Sequence, residues 1–126
     1  DDCWRAKEHA PPLSVHEPRL RRLAAALPAE GAAVLLAHEP DIADLAAGTP
    51  FAPGRFDLQL SGHSHGGQVR LPALGAPILP PYGQKYPAGL YQIGRLQLYT
   101  CRGVGSPRRI RFNCRPELAM LTLRAG

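Results

Sequence analysis

The stretch of sequence that decides the fold reads DLQLSGHSHGGQ and spans residues 57–68. Its first five residues alternate polar and apolar side chains, which predicts a β-strand, and the glycine-flanked His63 and His65 follow that strand directly. An earlier apolar run, residues 32–37, predicts a second strand that is buried on both faces, and His38 stands at its end. Because ligands collect outside the carboxyl ends of parallel strands, we expect the three imidazoles to converge if these strands are neighbours.

The remaining pattern predicts an α/β fold class with α+β character at the C-terminus. Early strands separated by helices favour a parallel arrangement, and later strands separated by short turns favour an antiparallel meander. The predicted elements are helices from residue 15 or 16 to 27 and over 42–47, strands over 69–71, 109–112 and 118–123, a hairpin of 89–93 with 96–100, and a long loop over 72–88.

Length and composition restrict the class of protein. The chain has 126 residues, 44% of them hydrophobic and 20% charged, which is typical of one globular domain and excludes fibrous, collagenous and strongly disordered classes. Its longest unbroken apolar run is far shorter than the roughly 20 residues that span a bilayer. The sequence therefore contains no predicted membrane helix.

Cysteine usage and net charge exclude two further classes. Cys3, Cys101 and Cys114 are odd in number and lack CxxC spacing, which predicts free thiols rather than a disulfide framework or a zinc ribbon. The net charge of +5 comes mostly from scattered arginines in an Ala-, Pro- and Gly-rich chain. We therefore expect no nucleic-acid partner.

Histidines supply the candidate chemistry. Neutral imidazole binds zinc, manganese and iron, so His38, His63 and His65 are candidate metal ligands, although paired histidines in glycine-rich loops are often simply solvated. Asp41 and Gln68 could orient ligating imidazoles, but each could equally be a capping or turn residue, and Asp41 could cap the helix that begins at Ile42. His9 and His16, which flank a Pro-Pro pair, are assigned to the surface.

Two motifs carry a resemblance to a known family. LLAHEPD at 35–41 and DLQLSGHSHGGQ at 57–68 resemble the last two metal-binding motifs of the calcineurin-like metallophosphoesterases. Further matches at 82–86, 89–91, 102–105 and 111–118 resemble the bacterial branch that contains a manganese-dependent cell-envelope phosphoesterase and relatives acting on phosphodiesters. The resemblance covers nearly all of residues 1–124.

The resemblance implies a hydrolase of phosphomonoesters or phosphodiesters, with half of a four-layer αββα sandwich present in this chain. By analogy, His38 and His63 bind one metal and His65 the other, and a water bridging the two ions attacks phosphorus. Manganese is the implied metal, with zinc or iron as alternatives and two ions in the full-length enzyme. A phosphoester substrate, lipid- or envelope-linked in the relatives, is the implied partner.

The family's earlier motifs are absent from this sequence: an Asp-x-His, a Gly-Asp with the bridging carboxylate, and a Gly-Asn-His-Asp/Glu. Residues 1–126 are therefore expected to be the C-terminal portion of one metallophosphoesterase domain whose N-terminal half is missing, and inactive when isolated. The expected location is cytoplasmic or peripheral to the bacterial inner membrane, with any anchor outside this sequence. Two alternatives stay open: a non-catalytic or degenerate module, and a mononuclear metal site with three histidine ligands.

Overall fold

A four-stranded sheet forms the centre of the structure, a computed structural model that describes residues 11–48, 55–105 and 110–124. The strands lie in the order β1-β2-β4-β3, with β1 and β2 parallel, β2 and β4 parallel, and β3 and β4 antiparallel. This mixed sheet confirms the predicted α/β class. The strands are β1 Val34–Leu36, β2 Leu58–Ser61, β3 Gly89–Ile93 and β4 Leu96–Thr100.

Both predicted helices are present and each begins with a 3₁₀ turn. The first turn, Leu13–His16, leads into α1 at Glu17–Ala26, and the second, Pro40–Ile42, leads into α2 at Ala43–Gly48. α1 ends where Leu27 turns extended, immediately before Pro28, because the residue before a proline disfavours helical geometry.

The core lies between the helices and one face of the sheet. Leu96 and Leu98 of β4 are completely buried there, in the same cluster as Leu20 of α1, Ala43 of α2 and Leu35 of β1. Since all of these side chains point to one face, the two helices cover only that face of the sheet.

The prediction that the first strand is buried on both faces is wrong. Leu35 is 6% exposed, whereas its neighbours Val34 and Leu36 are 41% and 77% exposed. β1 is the edge strand of the described sheet, and its second face meets no helix or strand among the described residues. An apolar run therefore identified a strand but not the number of its covered faces.

The prediction of three further strands outside the hairpin is also wrong within the described residues. Residues 118–123 are irregular, and Leu118 is 93% exposed. Of the predicted strands at 69–71 and 109–112, only isolated bridges form, Val69 with Phe112 and Leu71 with Gly75, while residue 109 lies outside the described residues. Alternation alone does not make a strand when no neighbouring strand offers hydrogen bonds.

Two remaining expectations concern thiols and membranes. Cys101 and Cys114 are free thiols, as predicted, and Cys3 lies outside the described residues. None of the helices in the described ranges is long and apolar enough to cross a bilayer.

Candidate metal site

Two of the three candidate ligands meet at the carboxyl ends of β1 and β2. Hydrogen bonding between these strands continues past their ends, where the Gly62 N–H donates to the His38 carbonyl over 3.1 Å. The His38 and His63 ring centroids lie 4.8 Å apart, with an angle of 64° between the ring planes. The parallel pairing predicted from the sequence thus places these two imidazoles in contact.

His63 has one nitrogen engaged and one available. Its Nε2 lies 2.8 Å from the carbonyl oxygen of Pro81, a pure acceptor, so the Nε2 nitrogen donates and Nδ1 keeps its lone pair. Metal-binding histidines commonly use their second ring nitrogen in this way, since the hydrogen bond fixes both tautomer and ring orientation. His63 therefore fits a metal ligand through Nδ1.

His65 faces a different neighbour. Its Cε1 would lie 3.5 Å from a Cβ added at Gly105, whose backbone also hydrogen-bonds the imidazole. Burial and the nearby positive charge of Arg111 lower the pKa of His65, which favours the neutral form that metals bind. The charges of His63 and His38 also lower the pKa of His65, so the three imidazoles lie within electrostatic reach of one another. Among the described residues, no three His, Cys, Asp or Glu side chains stand together as a ready metal cluster.

The His63–His65 loop has an unusual backbone. His63 and His65 have φ values of 65° and 49°, in the left-handed region that side chains with a Cβ rarely adopt. The fully buried Ser64 between them holds the turn: its N–H donates to the Gly62 carbonyl, and its Oγ accepts from the Gly66 N–H and donates to the Pro87 carbonyl. Strained backbone conformations of this kind cluster at functional sites, where the surrounding structure holds them in place.

The glycines after His65 are required for packing as well as for conformation. A Cβ at Gly66, whose φ is 62°, would lie 2.7 Å from both Cγ of Arg102 and Sγ of Cys114. A Cβ at Gly67 would lie 2.2 Å from the Cβ of Ala76. The glycine pair therefore lets the loop lie directly against two other segments of the chain.

Asp41 holds the loop that contacts His63. Its buried carboxylate accepts hydrogen bonds from the backbone N–H groups of Gln84, Lys85 and Tyr86 over 3.0–3.3 Å, and its own N–H donates to the Tyr82 carbonyl. The alternative role predicted for Asp41, capping the second helix, is wrong because the carboxylate is fully engaged with this loop. Asp41 makes no hydrogen bond to an imidazole of the described residues but fixes the segment that carries the Pro81 carbonyl.

Gln68 hydrogen-bonds to His65 through its backbone. Its N–H donates to the His65 carbonyl over 3.2 Å, and its own carbonyl accepts from the Phe112 N–H over 2.9 Å. The side chain is 4% exposed, and Nε2 has no hydrogen-bond partner among the described residues. Gln68 therefore ends the histidine turn, as the turn alternative predicted, and its amide bonds to no described imidazole.

Arg111 is a site residue that the sequence reasoning missed. Its Nη2 donates to the carbonyls of Arg102 and Gly103 over 2.9 and 3.1 Å and also to that of Gly105, while Nη1 donates to the Cys114 carbonyl. One guanidinium thus joins the 102–105 loop, which packs on His65, to the C-terminal segment. The only sequence signal was its place in the 111–118 motif.

Glu117 ties the end of β4 to the C-terminal segment. Arg102 Nε lies 2.6 Å from its Oε2, and the Tyr99 hydroxyl donates to its Oε1. Burial of Glu117 opposes ionisation, but the hydrogen bonds from Tyr99 and Arg102 outweigh it and lower the pKa of the carboxyl. The bond to Glu117, together with burial, raises the pKa of Tyr99 to about 12.

The assignment of the remaining histidines to the surface holds only in part. His16 is half-buried because its ring meets that of Tyr82 edge-on, with 6.2 Å between the centroids. His9 lies outside the described residues.

Comparison with known proteins identifies relatives of the chain. It is 41% identical over 122 residues to the phosphodiesterase YaeI of Escherichia coli (strain K12), covering 97% of this chain and 38% of that protein. It is 45% identical over 93 residues to the uncharacterized metallophosphoesterase YkuE of Bacillus subtilis (strain 168), covering 73% of this chain and 31% of that protein. The chain thus spans about a third of the length of these curated relatives.

These relatives confirm the resemblance to bacterial metallophosphoesterases, and the match lies in their C-terminal part. No protein-family model matches the chain. No solved structure matches it.

The role of Asp41 is testable with the isosteric change Asp41→Asn. We expect a loss of about 1–3 kcal/mol in the free energy of unfolding, because three backbone N–H groups, that of Tyr86 buried, lose a charged acceptor. Urea denaturation measures the loss, and amide hydrogen exchange at Lys85 and Tyr86 should accelerate. Glu30→Gln, a change of an exposed carboxylate, is the control and should shift stability by less than about 0.5 kcal/mol. Equal effects of the two changes would contradict the proposed role.

The Tyr99–Glu117 bond predicts a pH dependence. Because the pKa of Tyr99 is raised to about 12, its contribution to stability is complete below the unfolded value of about 10 and is lost as pH rises through 12. The phenolate absorbance of wild type minus that of Tyr99→Phe should titrate near 12. In Glu117→Gln the same midpoint should fall toward about 10. An unchanged midpoint would show that burial alone sets the shift.

Proposed function

We propose, from the homology of this chain to the C-terminal part of bacterial metallophosphoesterases, that it supplies histidine ligands to the active site of a metal-dependent phosphoesterase. The reaction is hydrolysis of a phosphomonoester or phosphodiester by a metal-activated water. The observation that carries the proposal is the contact between His38 and His63 at the carboxyl ends of two parallel strands. The names of the relatives support the general activity, since one is called a phosphodiesterase and the other a metallophosphoesterase.

The donor set fits divalent metals in part. His38 and His63 would hold one ion and His65 a second, with Mn²⁺ as the proposed metal and Zn²⁺ or Fe as alternatives. When bound, such ions supply an activated water and neutralise charge on the phosphoryl oxygens. The absence of a three-residue metal cluster among the described residues favours division over two ions rather than a single three-histidine site.

The chain's own residues hold these ligands in place. The Pro81 carbonyl keeps the Nε2 proton of His63 and leaves Nδ1 free, and Asp41 holds the loop that carries Pro81. Ser64 keeps both histidines in their left-handed conformation. On the opposite side, Arg111 fixes the loop that packs against His65. His63 and His65 are therefore positioned before any ion arrives, which lowers the cost of ordering the site.

The rest of the site is proposed to come from the N-terminal half of the same domain. The motifs that carry the bridging carboxylate and the remaining ligands are absent from this sequence, and the chain spans about a third of its relatives. One face of the sheet is open: Leu36 is 77% exposed and Leu90 is 66% exposed, in register with Leu60 and Tyr99 between them. A second sheet on this face would complete the αββα sandwich.

Substrate and location follow from the same homology. We propose a phosphoester substrate, with a lipid or cell-envelope group as the candidate for its organic part, and no nucleic-acid partner. A cytoplasmic position, or one peripheral to the bacterial inner membrane, fits this proposal.

Metal binding by the 126-residue chain is the first test. Without a bridging carboxylate, we expect weak binding of one Mn²⁺ or Zn²⁺ in calorimetry and almost no second ion. His63→Ala should weaken the first ion at least about tenfold, whereas His16→Ala, a histidine in contact with Tyr82 and outside the ligand set, should not. Tight binding of two Mn²⁺ ions would contradict the division of the site, and equal effects of the two changes would contradict the ligand assignment.

Hydrolysis is the second test. The chain alone should not hydrolyse bis(p-nitrophenyl) phosphate with Mn²⁺, because the bridging carboxylate and the other ligands of the earlier motifs are missing. A longer protein that joins this chain to the absent Asp and Asn motifs should do so and lose activity in His65→Ala. If the longer protein is inactive while it still binds Mn²⁺, the chain belongs to a degenerate, non-catalytic relative.

A further inference from the structure

A second concave site lies next to the His65 loop. It is a cavity of about 720 Å³. Its lining combines two guanidinium groups and one side-chain amide with apolar rings, from Pro72, Arg102, Phe112, Asn113, Arg115 and Pro116. None of these residues is a candidate metal ligand.

The cavity carries excess positive charge. Arg102 is paired with Glu117, but the Arg111 guanidinium behind it bonds to carbonyl oxygens and to the Cys114 sulfur and to no carboxylate of the described residues, which leaves its charge uncompensated. Arg115 is exposed, and no hydrogen bond or ion pair with another described residue occupies its side chain. One carboxylate therefore stands against three guanidinium groups, and an anion in the cavity gains both Coulomb attraction and free N–H donors.

One wall of the cavity is apolar and fixed in position. The ring of Phe112 is 56% exposed, and its backbone is held on both sides: its N–H donates to the Gln68 carbonyl over 2.9 Å and its carbonyl accepts from Arg70 N–H over 3.0 Å. Pro72 and Pro116 extend the same surface. An exposed aromatic ring beside guanidinium groups suits a ligand with an anionic head and an apolar body.

The cavity is connected to the candidate metal site through the backbone. The side chain of Arg102 lies against Gly66, the residue after His65, and the Cys114 thiol donates to the His65 carbonyl over 3.4 Å. Gly66 leaves no room for a side chain between the loop and Arg102. Whatever binds in the cavity therefore lies beside the loop that carries His65.

We propose that this cavity binds an organic phosphate, with the phosphate on Arg115 and Arg102 and the apolar body on Phe112. Its assignment to the substrate, as a second subsite apart from the metal ligands, rests on the proposed function. Binding itself does not, because it needs no metal ion.

Phenyl phosphate is the probe, with inorganic phosphate as its counterpart without an apolar body. In an amide NMR titration of the 126-residue chain with EDTA present, we expect shifts at Phe112 and Asn113. Arg115→Ala should weaken the dissociation constant for both probes at least about fivefold, because a charge-assisted hydrogen bond is lost. Phe112→Ala should weaken phenyl phosphate only.

The matched control is Arg22→Ala, which removes the same charge from an exposed position on α1. An equal loss in Arg22→Ala and Arg115→Ala would overturn the proposal, since it would show general attraction to a basic chain. An acidic peptide that shifts the same amides at lower concentration than phenyl phosphate would also overturn it, in favour of a protein contact. If the chain binds phenyl phosphate but not Mn²⁺, the cavity proposal is supported and only the proposed metal site is contradicted.

Discussion

The parallel pairing of β1 with β2 is the constraint on which the candidate site depends. Its last hydrogen bond, from the Gly62 N–H to the His38 carbonyl, lies beyond both strands and joins the two histidine segments directly. A slip of one residue in this register would turn every side chain of one strand to the other face of the sheet. Burial of Leu35 and Gln59 prevents such a slip, because it would move one of these interior side chains to the exposed face. The same packing that stabilises the sheet therefore aligns His38 with His63.

The backbone of the histidine loop is strained, and neighbouring hydrogen bonds offset the cost of that strain. Left-handed residues other than glycine cost about 1–3 kcal/mol each, and His63 and His65 are both of this type. The opposing contribution comes from buried groups: Ser64 within the turn, and Asp41 in the loop that meets His63. Hydrogen bonds to a charged group contribute about 1.5–3 kcal/mol. The stabilisation from the Asp41 carboxylate is therefore comparable in magnitude to the strain in the histidine loop. Removing it should loosen a loop rather than unfold the sheet.

Structural features that depend on local sequence pattern could be predicted from the sequence. Features that depend on residues distant in the chain could not. The hairpin of residues 89–93 and 96–100 could be predicted because alternation and a two-residue turn around Gly94 both lie within it. The function of Asp41 could not be, since its partners lie 43–45 residues later. Residues 118–123 show the opposite error: their alternation is genuine, but no neighbouring strand is supplied among the described residues. The exposed second face of β1 has the same origin, because a run of apolar residues cannot state whether a covering layer is present.

The charge of the chain explains why the candidate site should be incomplete by itself. Imidazole binds a metal in its neutral form, so His38, His63 and His65 would add no negative charge to the site, and the chain around them carries a net charge of +5. Two divalent cations a few ångströms apart repel each other strongly, and neutral ligands on a basic chain do nothing to reduce that repulsion. Carboxylates must do so, yet Asp41 is committed to three backbone N–H groups and Glu117 to Tyr99 and Arg102, and no described carboxylate forms a metal-holding group with two of the histidines. On the proposed function, this chain supplies nitrogen ligands and anion-binding arginines, while the negative charge that makes a two-metal site stable has to come from the other half of the domain.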